Sequence, residues 1–103
     1  RVRGAQAGSG NLMPARLQVL FSGRVQGIGF RYTVKQTALG YEVTGWVKNL
    51  ADGRVELLVE GERGELEAFQ AAIPEAGLRR FIRETQSDWS NGTGEFREFE
   101  IAR

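Results

Sequence analysis

The stretch Gly23-Arg24-Val25-Gln26-Gly27-Ile28-Gly29-Phe30-Arg31 decides how this chain is read. An alternating apolar run at 17–21 precedes it and a helix-period run at 30–39 follows it, so it joins a strand to a helix. Such a loop can aim several backbone N–H groups at one point. The first turn of the helix adds donors with no partner inside the helix. Arg31 brings a planar, always charged fork that matches phosphate oxygens. The loop therefore reads as an oxyanion cradle formed by Gln26, Gly27, Ile28, Gly29, Phe30 and Arg31, with phosphate as the leading ligand.

The loop is neither of the two common phosphate motifs. No Gly-Lys-Ser/Thr follows it, and Tyr32 stands where the dinucleotide fingerprint needs a third glycine. A glycine turn that merely lets the chain enter a helix is the plainer reading. Arg31 argues for the cradle, because a cation in the first helical turn opposes the macrodipole at a cost of roughly 0.3–1 kcal/mol. Its plainer reading is a solvated surface arginine. Asn49 is the second singular residue. It ends a strand-like run although asparagine is depleted in strands. Either it flanks the turn at 50–53, or its carboxamide, donor and acceptor at once, holds a water at the mouth of the loop.

Working outward, the first strand covers 16–22, with Leu17, Val19 and Phe21 on one face. The first helix covers 30–39, with Phe30, Val34 and Ala38 four apart and Gly40 as its stop. A strand at 43–49 and a strand at 55–60 flank Asp52-Gly53, the signal of a tight hairpin. In the second of these, Val55, Leu57 and Val59 point in and Glu56 and Glu60 out. The second helix covers 64–73 and stops at Pro74 and Gly77. A fourth strand lies within 79–89, a glycine-containing loop spans 90–95, and a short last strand carries Phe96, Phe99 and Ile101. The order βαββαβ plus an edge strand predicts an α+β, ferredoxin-like sandwich. Its antiparallel sheet has four to five strands, the first and third central, with both helices on one face.

Composition narrows the chemistry. The chain has 103 residues, enough for one core. It holds no cysteine, which rules out disulfides, thiol catalysis and cysteine metal sites. It holds no histidine, which rules out imidazole acid–base chemistry and a phosphohistidine. No metal, cofactor, nucleic-acid or membrane partner is expected. The net charge is only +1, and no apolar run approaches the ~20 residues of a membrane span. Lack of cysteine fits a cytoplasmic protein. Residues 1–14 read as a flexible leader ahead of the domain at 15–103, with Met13 as the natural start. The acidic positions Glu60, Glu62, Glu65 and Glu67 read as a solvated surface. Lys35 shares a helix face with Arg31 and reads as solvated, and Trp46 and Trp89 read as packing residues.

The loop at 23–31, followed by Gly45-Trp46-Val47-Lys48-Asn49 and Asp52-Gly53-Arg54-Val55-Glu56, resembles the acylphosphatase family. The arginine and the asparagine stand 18 positions apart, which fits that family. Phe69 and the closing Phe99-Glu100-Ile101 also resemble it. The resemblance implies a small enzyme that hydrolyses acyl phosphates to a carboxylate and inorganic phosphate; that chemistry needs no metal, and a monomer is expected. It assigns phosphate binding to Arg31 and the loop, and orientation of the water to Asn49. One region departs from the family pattern: Pro74-Glu75-Ala76-Gly77-Leu78-Arg79-Arg80 replaces a Gly-Pro-type turn, and Arg83 and Glu84 stand where apolar residues are expected.

The alternative is a non-catalytic module of the same fold that binds a phosphate or carboxylate ligand. A related domain opens larger hydrogenase-maturation carbamoyltransferases, which continue into cysteine-rich zinc segments. With no cysteine here, the expectation is a stand-alone enzyme. RNA-recognition modules share the βαββαβ order, but their aromatics must lie on a central strand to stack on bases. The strand at 55–60 has none.

Overall fold

Strict alternation builds the first strand. In the computed structural model, which describes residues 14–103, Leu17, Val19 and Phe21 share one buried face of β1 (Ala15–Gly23). Met13 and the expected leader up to that residue lie outside the described residues. Pro14 accepts the Gly92 N–H at 2.7 Å. Then follow α1 (Phe30–Ala38), β2 (Val43–Asn49), β3 (Val55–Gly61), α2 (Arg63–Ile73), β4 (Ile82–Asn91) and β5 (Phe99–Ile101). The strand order is β4-β1-β3-β2-β5, so β1 and β3 are central as the sequence predicts. Neighbours run antiparallel except β5, which lies parallel to β2 with Gly45 opposite Phe99. Phe96 falls outside β5; the Arg16 guanidinium lies over its ring.

Both helices cover the same face. Phe30, Val34 and Ala38 of α1 and Leu66, Phe69 and Ile73 of α2 join Leu17, Val19, Val47, Leu57 and Val59 in one cluster. Each large apolar side chain contributes roughly 1.5–3 kcal/mol by burial. This packing holds α1, whose nine residues fall short of the ~12–15 an isolated helix needs. Phe69 meets Phe99 edge-on with ring centroids 5.9 Å apart, which ties the short β5 to α2. No helix among the described residues is long and apolar enough to cross a membrane.

The fourth strand runs to Asn91 rather than ending near Trp89, and it is the outer edge of the sheet. Only Ile82 and Trp89 are half-buried, so an edge position, not a broken core, explains Arg83 and Glu84. Between α2 and β4 the chain turns through Pro74–Leu78 and a short 3-10 turn, Arg79–Phe81. Gly77 takes φ +92° there and Leu78 plugs into the core.

Glu60 corrects the alternation reading. It points to the helix-free face, yet it is only 2% exposed because the segment after β4 folds over it. Its carboxylate accepts the N–H groups of Thr93 and Gly94, both at 2.9 Å, and Arg16 Nε at 2.8 Å. Burial pushes the Glu60 carboxyl up, but these donors outweigh burial and hold it below its usual 4.5. A depressed carboxylate stabilises the fold above its ordinary pKa and loses that contribution as pH falls through the lowered value. Glu60→Gln is therefore expected to cost about 2 kcal/mol near neutrality. Urea midpoints of both proteins should converge as pH falls below about 4.5. A gap that stays constant down to strong acid would refute this role for the charge.

Candidate active site

Two buried side chains pin the loop between β1 and α1. Val25 is 0% exposed at its start, and Phe30, 2% exposed at its end, packs on Phe21 at 5.1 Å between ring centroids. Between these anchors Gly27 and Gly29 each take φ +80°, a backbone region that side-chain-bearing residues avoid. A Cβ at either would meet nothing within 4 Å, so the demand for glycine is conformational, not steric. Gly29 caps α1 without a side-chain hydrogen bond, and the first helical bond runs from the Thr33 N–H to the Gly29 carbonyl at 2.9 Å. The N–H groups of Phe30, Arg31 and Tyr32 thus have no acceptor within the helix. The first turn carries no acidic residue to offset the dipole.

Asn49 comes from the other side. It closes β2 opposite Val55, at the base of the hairpin whose turn places Gly53 at φ +96°. The Leu50 N–H donates to the Arg54 carbonyl at 2.8 Å. Gln26 fastens this hairpin to the loop: its Nε2 donates to the carbonyls of Leu50 at 2.8 Å and Arg54 at 2.9 Å. The distance between the loop and Asn49 is therefore set by a side-chain clamp from the loop itself.

The two parts meet at one cavity of about 170 Å³, lined by Val25, Gly27, Gly29, Phe30, Arg31, Tyr32, Asn49 and Ile101. Of the residues the sequence singled out, Gly27, Gly29, Phe30, Arg31 and Asn49 are brought together here. Gln26 is turned to the hairpin and Ile28 points outward, so neither side chain lines the cavity. Lys35 does not line it either. Arg31 Nη1 donates to the Ala102 carbonyl at 3.2 Å, just past β5. The Asn49 carboxamide hydrogen-bonds to no described residue, so both its donor and its acceptor are available.

Sequence reasoning missed Tyr32, Ile101 and Ala102. The signal for Tyr32 was an aromatic residue next to the arginine on the polar side of a helix. Ile101 reaches the cavity, and the Ala102 carbonyl reaches Arg31, only through the parallel pairing of β5, which no local pattern announces.

A family model for acylphosphatase matches residues 17–101. The chain is 41% identical over 91 residues to an acylphosphatase of Acaryochloris marina, covering 84% of this chain and 92% of that one. It is 48% identical over 62 residues to one from Syntrophotalea carbinolica, covering 60% of this chain and 67% of that one. Its structure is similar to the crystal structure of acylphosphatase from Bacillus subtilis, with TM-score 0.76 and 32% identity over 86% of this chain and 99% of the other. It is also similar to full-length HypF in a phosphate- and nucleotide-bound form, with TM-score 0.68 and 28% identity, over 88% of this chain but 12% of that protein.

Proposed function

The chain belongs to the acylphosphatase family and is a hydrolase of that kind; on this premise we propose that Arg31 and the loop bind the substrate phosphate and that Asn49 orients the attacking water. The observation that carries this reading is the single cavity lined at once by Gly27, Gly29, Arg31 and Asn49. The Arg31 fork and the N–H groups at 30–32 neutralise the phosphate oxygens as charge builds on them. The Asn49 carboxamide holds a water in line with the bond to be broken. The water oxygen bonds to phosphorus as the phosphorus–carboxyl oxygen bond breaks. The leaving carboxylate takes the electron pair, and the water proton passes to a phosphate oxygen.

The leaving group explains why so little machinery is needed. A carboxylate departs without a general acid, and phosphoryl transfer depends mainly on positioning and charge stabilisation. One arginine, a set of N–H groups and one amide supply these. The loop and Asn49 meet within one chain, which supports action as a monomer. The lack of cysteine supports action in the reducing cytoplasm. The test is release of inorganic phosphate from benzoyl phosphate with a chelator present. Turnover should persist undiminished. A folded protein that releases no phosphate would overturn the catalytic reading and leave a binding site.

A further inference from the structure

The catalytic cavity is too small for the whole substrate. Its volume of about 170 Å³ falls below the roughly 300–1,000 Å³ of pockets that engulf a ligand. Once the phosphate group occupies it, the acyl group must lie on the rim. That rim is apolar. Tyr32 is 62% exposed and Ile101 37%, and both line the opening; Ile28, also 37% exposed, stands in the loop beside them. Two of the four exposed large hydrophobic side chains among the described residues thus lie at this opening. Arg31 is the one charged side chain among the described residues that line the cavity.

We propose that Tyr32 and Ile101 form the acyl-group subsite, selecting aromatic acyl phosphates over small or anionic ones. This rests on the cavity being the phosphate site. Tyr32 sits in the first turn of α1, one residue beyond Arg31, and its exposed ring lines the opening. Ile101 pairs in register with Val47, two residues before Asn49, and so flanks the water side. An aromatic ring leaving the cavity between them covers apolar surface on both sides, and ring-on-ring contact adds to that. An acetyl group is too short to cover either. A second anionic group would find no second cation in the lining.

The experiment compares kcat/KM for benzoyl phosphate and acetyl phosphate in the wild type, Tyr32→Ala, Tyr32→Phe and Ile101→Ala. The wild type is expected to favour benzoyl phosphate. Tyr32→Ala should lower the benzoyl-to-acetyl ratio roughly tenfold, mainly through KM, because the lost contact is made equally in ground and transition states. Tyr32→Phe, which keeps the ring, should retain the ratio, and Ile101→Ala should lower it less. Turnover of both substrates with the same ratio in all four proteins would overturn the subsite and leave the phosphate reading standing. No turnover of either substrate by the wild type would overturn both.

Discussion

Arg31→Ala should lower kcat/KM by roughly 10²–10³-fold, the scale seen when one positioned donor is removed from a site of developing charge. Inhibition by inorganic phosphate should weaken in the same variant, because the proposed role of the guanidinium is to bind the group that product and substrate share. The side chain is placed for this rather than for the core. It is half-buried at the cavity, and its bond to the Ala102 carbonyl uses one of its five donors and leaves the others to face the anion. Arg31→Lys should restore little, since an ammonium cannot reproduce the bidentate fork. Steady-state kinetics with phosphate as competitor measures both effects. Unchanged phosphate inhibition in Arg31→Ala would remove the residue from its assigned role.

Asn49→Ala should reduce kcat at least about a hundredfold while inhibition by phosphate stays close to that of the wild type. The split follows from the geometry. The carboxamide stands across the cavity from the loop, and the backbone pairing of Asn49 with Val55 does not need the side chain. On the proposed roles, removing it should take away the orientation of the water and leave the anion cradle whole. A variant that lost phosphate affinity and turnover together would make Asn49 a phosphate ligand instead.

Much of the site was legible because its parts are local. Val25, Gly27, Gly29 and Arg31 lie within seven residues, and Asp52-Gly53 fixes the hairpin that carries Asn49. The alternation of Val55, Leu57 and Val59 likewise announced β3, whose three apolar side chains are buried. What escaped the sequence depended on distant partners. Alternation assigned Glu60 to solvent correctly as to face, but Thr93, 33 positions on, covers that face. Register blurred in β4, since an edge strand with polar side chains carries little apolar period. The acceptor for Arg31 lies 71 positions away, beyond any local rule.

The anchoring of β5 links activity to the least secured part of the sheet. Three residues long and paired on one side, it is held through the Gly45 N–H to the Glu98 carbonyl at 3.0 Å and the Ala102 N–H to the Val47 carbonyl at 2.8 Å. Short edge elements of this kind open at free energies well below that of global unfolding. Opening of β5 would take the carbonyl tether from Arg31 and Ile101 from the rim without touching the pairing of β1 with β3. Under the roles proposed for Arg31 and Ile101, amide exchange at Ala102 is expected to follow activity more closely than the melting temperature does.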